Sequence, residues 1–441
     1  MRLRSLIFWL AAIFASTLAL PPAACAVTTP TEAAAIAAAN KDHTAYTLPP
    51  DKLAKSEKLY HLFAPLNFAQ PIWGIVCLFL LLQLGIVARM RDVSLKVSRN
   101  RWAQGFTFFF LFLLSITLLT LPLEAWAVSV ERNYGLSVQH WGSWIGDQAK
   151  SFAMGLVFGG LGVMLFFWLV RKFPRRWWLV IWFPVMAFVL VNVSIKPYVI
   201  DPMFDKFEPL SQSHPELVQQ LEKVVARGQG INIPPERMFL MKASEKTTTL
   251  NAYVTGFGAS KRVVVWDTSI AKGTPDEILF IFGHEMGHYV LGHIVSGMIF
   301  AFGMILISFF IGFHLFQFLL RRLGSKWGIP SQNDWGALVV FVLVVSVIVF
   351  FSTPIDNMFS RSKEHAADVY GQEVVHGIVT DPQATGQAAF QLLGENSFSY
   401  PYPWPLYSFW IGTHPPTWFR AAFAKHYDPW APDEEPKYFK K

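Results

Sequence analysis

Residues 284–288 read His-Glu-Met-Gly-His. On a helix, His284 and His288 stand one turn apart and about 40° round the axis, so both imidazoles can reach a single Zn²⁺ ion. Glu285 points about 100° away from His284, too far round to join them as a ligand but placed to reach a water beside the ion. The pattern is that of metal-assisted hydrolysis with Glu285 as the base. In a chain with 12 histidines and 30 acidic residues, it also arises by accident in about one chain per hundred. A third ligand has to come from elsewhere.

His293 is nearest in sequence. On an unbroken helix continuing past residue 288, its nine-residue offset from His284 is about 900°, the opposite face, so it reads as a polar residue where the helix enters the membrane. Glu364, in Ser360-Arg-Ser-Lys-Glu-His-Ala-Ala-Asp368, is the stronger candidate. Helical context puts Asp368 one turn on along the same face, with His365 turned about 100° away. Asn251 heads the strand-like run Asn251–Phe257, about 30 residues before the motif. An edge strand there would hold an extended peptide by its backbone, with Asn251 adding a side-chain contact; an internal strand with a turn asparagine is the plainer reading. Thr413-His414-Pro415-Pro416, followed by Arg420, is a further polar cluster in an apolar setting. His414 could donate to the oxyanion of peptide hydrolysis, or simply turn the chain before two prolines. Arg420 could pair with a substrate carboxylate, or with Asp368 or Glu364.

The elements that must position these groups lie in an apolar chain. Of 441 residues, 53% are hydrophobic and only 15% charged, against about 25% charged in soluble domains. Two cysteines, Cys25 and Cys77, cannot build a disulfide framework. Residues 1–26 carry Arg2 and Arg4, an apolar stretch and Ala24-Cys25-Ala26, the pattern of a signal peptide or an uncleaved anchor. Residues 27–70 follow as an extracytoplasmic tether or short surface helix. Six apolar runs, 71–88, 105–127, 153–170, 177–195, 294–320 and 336–354, are candidate spans.

The loops at 89–104, 171–176 and 321–334 are rich in Arg and Lys, while 128–152 holds only Arg132 and Lys150. The positive-inside rule places the three basic loops in the cytoplasm. The net charge of +7 therefore marks topology, and the partner is the lipid bilayer and not nucleic acid. Residues 196–293 and 355–441 fall on the far side, the periplasm of a bacterium. The organisation expected is a four-span domain at 71–195, a catalytic domain at 196–293, a two-span hairpin at 294–354, and a third-ligand helix with a substrate-site segment at 355–441. Two crossings separate the His284–His288 helix from Glu364, so the chain returns to the face it left, and Glu364 can meet both histidines. Residues 215–228 read as a helix, and 237–242, 251–257 and 262–266 as strands.

The ordered set His284-Glu285-Met-Gly-His288, Ser360-Arg361…Glu364…Asp368, Asn251-Ala-Tyr253…Thr255-Gly256, Trp266-Asp-Thr268 and His414-Pro-Pro…Arg420 resembles the type-one CAAX prenyl endopeptidases, multi-pass membrane zinc metalloproteases related to bacterial heat-shock membrane proteases. Ile200–Leu210 resembles the stretch joining the fourth long span to the catalytic part. The likeness covers about residues 70–425. It implies a mainly α protein, a ring of six or seven spans around a water-filled chamber, with a zincin-like α+β catalytic domain. It implies one zinc on His284, His288 and Glu364, Glu285 as base, and a peptide or protein substrate entering the chamber. Asn251, Tyr253, His414 and Arg420 would contact substrate or transition state, with Asp368 and Arg361 supporting the ligands. The charge pattern sets the zinc outside the cytoplasm, which points to quality control of membrane or envelope proteins. A zinc-binding transporter would need ionisable groups deep in several spans, and an inactive scaffold a broken Glu285 or a missing ligand. The sequence shows neither pattern.

Overall fold

The computed structural model describes residues 28–228, 233–256 and 261–440. The leader expected at 1–26 and the end of the strand run at Phe257 lie outside them. The chain runs through α1 (Pro30–Ala39), α2 (Pro50–Gln83) and α3 (Arg101–Asn133). Then come α4 (Trp141–Lys172) and α5 (Trp177–Phe204), each containing a one-turn irregularity, and α6 (Pro215–Arg227). After these follow α7 (Pro275–Val290), α8 (His293–Leu323), α9 (Ala337–Val374) and α10 (Thr417–His426). Among the described residues, α2, α3, α4, α5, α8 and α9 are long and apolar enough to cross a membrane.

The chain divides into two compact units. One comprises Pro65–Ile195 and Gly297–Phe350. Its exterior is apolar: Leu84, Leu118, Ile145, Phe183, Phe188 and Ile299 are all exposed. In water such a surface would aggregate, whereas in lipid it is the favourable exterior, since each helix satisfies its own backbone. Inside, Trp177 is fully buried, with the rings of Phe166, Phe313, Phe316 and Phe341 between 5.2 and 5.7 Å from its own. Close helix contact depends on small residues, as membrane packing requires. A Cβ on Gly105 would lie 2.9 Å from the Trp335 ring, and one on Gly160 would lie 2.4 Å from Phe106.

The other unit holds the described residues up to Ala64 and those of Lys196–Ser296 and Phe351–Lys441. Its sheet has the order β1 (Phe207–Pro209), β2 (Met238–Met241), β4 (Arg262–Trp266), β3 (Ala252–Thr255). β2 and β4 are parallel, and both outer pairs are antiparallel. The β-branched run Val263-Val264-Val265 is wholly buried and forms the sheet's centre. Among the described residues, β3 pairs only with β4 and is an edge strand. The stretch expected as a tether or surface helix instead joins this core. α1 is started by a Thr29/Glu32 capping box and buries Ala35 and Ala39 with Ala421, Ala422 and Phe423 of α10. Alanines one turn apart leave a smooth face that a neighbouring helix can approach closely, which composition alone does not reveal.

α7 begins at a capping box, Thr274 with Glu277, and Pro275 at its first position. The helix expected to continue into the fifth span stops at Val290, and Gly292 takes the left-handed φ of +66° before α8 starts at His293. A glycine just past a helix is the usual stop, since only it adopts that conformation without a Cβ penalty. α9 is 38 residues long, about 57 Å at 1.5 Å per residue. It continues well beyond the apolar run 336–354, so its last turns carry Glu364 and Asp368.

Candidate metal centre

α7 and α9 touch through small residues. A Cβ on Gly371 would lie 2.8 Å from His284 N and 3.0 Å from its Cα. One on Gly283 would meet Val374 at 2.7 Å, and one on Gly287 would meet Ala367 Cα at 3.1 Å. Backbones this close bring three short-reach side chains to one point. His284 Nε2 lies 3.2 Å from His288 Nε2 and 3.3 Å from Glu364 Oε2, while His288 Nε2 lies 3.4 Å from Glu364 Oε1. An ion bonded tetrahedrally at about 2.0–2.1 Å holds its donors about 3.3 Å apart, so this set fits zinc as two imidazoles and one carboxylate with a position left open. Glu364 Oε2 is buried and, despite its close neighbours, accepts no well-aligned hydrogen bond. The surroundings favour positive charge. Burial opposes a charged His284, but Asp368 and Glu364 outweigh it and push its pKa up to about 9.

The next layer orients these groups. Asp368 Oδ1 lies 2.8 Å from His284 Nδ1, so that nitrogen donates and Nε2 is the one turned toward the cluster, where a metal would displace its proton. Arg420 grips Asp368 with two bonds of 2.9 and 2.6 Å and stacks 4.4 Å from the Phe390 ring centroid. Arg420 thus meets Asp368, one of the partners the sequence offered it, while its Nη2 stays 3.9 Å from Glu364. Arg361 Nη1 donates to the carbonyls of Ser408, Phe409 and Gly412. It thereby fixes the turn that presents His414, whose Nε2 lies 3.1 Å from Glu364 Oε2 with its side chain 52% exposed.

Glu285 lines a cavity of about 420 Å³ with Val254, His288, Tyr289, His293, Phe359, Lys363 and Glu364. Burial pushes its carboxyl above the ordinary value, against the pull of His284 and His288. Val254 brings the edge strand into this wall. Because strand side chains alternate, Tyr253 points to the other face and packs with Phe207, Phe239 and Trp266, so it is not brought to the site. Asn251 is exposed at the head of β3, with its backbone N–H and carbonyl both bonded to Ser269 Oγ at 2.8 Å.

His293 corrects the sequence expectation. The break at Leu291–Gly292 swings it back, and its Nδ1 lies 3.0 Å from His288 Nδ1. It can accept the proton that His288 must carry there when Nε2 faces a metal. The signal was present in Gly292, a stop residue whose effect on phase an unbroken helix wheel ignores.

Residues 211–428 match peptidase family M48, and residues 40–206 match a region described as CAAX prenyl protease N-terminal, five membrane helices. An uncharacterized metalloprotease of Bacillus subtilis, YhfN, is 35% identical over 337 residues, covering 76% of this chain and 77% of that one. CAAX prenyl protease 1 of Saccharomyces cerevisiae is 29% identical over 295 residues, 62% of each chain. The crystal structure of S. mikatae Ste24p shares the fold, with a TM-score of 0.73 at 23% identity over 95% of this chain and 99% of that one. Fold and site together define an integral multi-pass membrane metallopeptidase, and the transporter and scaffold readings are not favoured. The chain belongs to peptidase family M48.

Proposed function

We propose that this protein is a zinc endopeptidase that cuts peptide bonds of membrane or envelope proteins, with its metal centre on the extracytoplasmic side of the membrane, the periplasmic side of the inner membrane in a bacterium. The observation that carries the reading is the convergence of His284, His288 and Glu364 at zinc spacing, with His288 and Glu364 lining the same cavity as Glu285. Residues 71–195 and 294–354 would form the membrane part, and 196–293 with 355–441 the catalytic part. His284, His288 and Glu364 would hold the zinc, which would supply Lewis-acid polarisation of the scissile carbonyl and a more acidic water. Glu285 takes the proton of the attacking water and returns it to the leaving amine; its raised pKa suits both steps. His414, exposed and hinged on the turn that Arg361 fixes, donates to the oxyanion. The free edge of β3 holds the peptide extended across the cavity, and Asn251 contacts the chain beyond it. Asp368 holds His284 in its ligating tautomer, and Arg420 holds Asp368.

Bound zinc and hydrolysis of a fluorogenic peptide, measured in detergent for the wild type and Glu285→Gln, test the reading. One equivalent of zinc in both is expected, with turnover lower by about 10²–10⁴-fold in the variant. Equal activity in the two would remove Glu285 from the mechanism.

A further inference from the structure

Lys363 faces the cavity, and none of the acids around it forms an ion pair with its ammonium among the described residues. It shares the cavity-facing stripe of α9 with Phe359, Ser360 and Glu364, positions that helical spacing places together. Its ammonium lies 5.1 Å from the centroid of the Phe359 ring, and no acid pairs with it among the described residues. Glu285 lines the same cavity but forms no ion pair with Lys363, and the other two acids nearby are engaged. Glu364 stands within 3.4 Å of His284, His288 and His414, and Asp368 is held by Arg420 and His284. Apart from Glu285, the facing wall, Val254, His288, Tyr289, His293 and Ile294, offers no anion. A half-buried cation without a counter-charge is held at an electrostatic cost, which an anionic ligand relieves on binding. Arg420, the other cation beside the cluster, already has its counter-charge in Asp368, which it meets through Nε and Nη2.

We propose that Lys363 selects a carboxylate on the substrate, carried by an acidic side chain near the scissile bond or by a free C-terminus. This rests on the peptidase reading of the same cavity. Stacking on Phe359 accounts for where the lysine stem lies, and the unpaired ammonium is what the substrate group meets.

The test is kcat/KM on quenched fluorescent peptides of one core sequence. They carry Glu, Gln or Lys at each position flanking the cleaved bond, with the C-terminus as acid or amide. Wild type, Lys363→Met and Lys363→Glu are compared. Wild type should favour Glu over Lys at one position by about 10- to 100-fold. Lys363→Met should flatten that ratio and Lys363→Glu invert it. A free C-terminal carboxylate as the source would put the preference in the acid-against-amide contrast and leave the side-chain scan flat. Ratios unchanged in both variants, even with lower rates, would overturn the proposal and leave Lys363 a structural residue. The same peptides are titrated against Glu285→Gln, alone and combined with Lys363→Met, to read binding without turnover. Affinities ordered by charge only when Lys363 is present, together with a wild type that cleaves none of the peptides, would sink the peptidase reading while sparing the carboxylate site. Affinities indifferent to charge would sink the carboxylate site alone.

Discussion

Gly371→Ala tests whether the metal centre depends on the close approach of α7 and α9. The added Cβ would lie 2.8 Å from His284 N, where ordinary contact begins at 3.4 Å, so a gap of 3.4 − 2.8 = 0.6 Å must open. The obstructing atoms are helix backbone, and relief requires α7 to shift against α9. Ligand distances at a zinc site tolerate about 0.2 Å, so a shift of this size cannot pass unnoticed between His284 on one helix and Glu364 on the other. Overpacking of this kind costs about 1–3 kcal/mol, and the share falling on the ligands corresponds to zinc binding weaker by about 10- to 100-fold. The assay is competition for zinc with a chromophoric chelator, run beside thermal unfolding in detergent. Gly297→Ala is the control, since a Cβ there meets nothing within 4 Å. Zinc affinity and unfolding temperature in Gly371→Ala equal to those of the control would refute the reasoning.

Removing the acceptor behind His288 with His293→Ala should weaken zinc binding by about 10- to 100-fold, read by the same competition. Asp368→Asn leaves Arg420 buried without its counter-charge and should cost about 3–5 kcal/mol of stability, measured by unfolding, together with a loss of zinc affinity. Asp42 is held below the ordinary carboxylate range by Lys425, with Thr44 and His426 adding to it. A depressed folded-state pKa stabilises above the unfolded value and fades as pH falls toward the folded one. Wild type should therefore outlast Asp42→Asn in thermal unfolding at pH 7, with the gap shrinking progressively below pH of about 4. A gap that is constant with pH would remove Asp42 from the linkage.

Several features were legible because they are local. The His284–His288 pair follows from helical periodicity, and the six spans follow from apolar length. Glu364 was reachable by counting crossings, since an even number of spans returns the chain to the same side. The reading went astray where a single backbone torsion altered the phase: Gly292 turned His293 from the far face of a helix to the back of His288.

What the sequence determined by itself is the chemistry and its coarse placement: the residue types of a metal site, the base beside them, and the apolar helices of a membrane protein. Tertiary structure decided the partners. It assigned Arg420 to Asp368, turned Tyr253 to the opposite face of the sheet, and folded α1 into the core. It also left Lys363 in the cavity without an ion-pair partner among the described residues. The physical reason is range. Periodicity fixes neighbours three and four residues apart, whereas side chains 50 to 400 positions apart meet only where glycines, alanines and strand register let backbones close to contact distance.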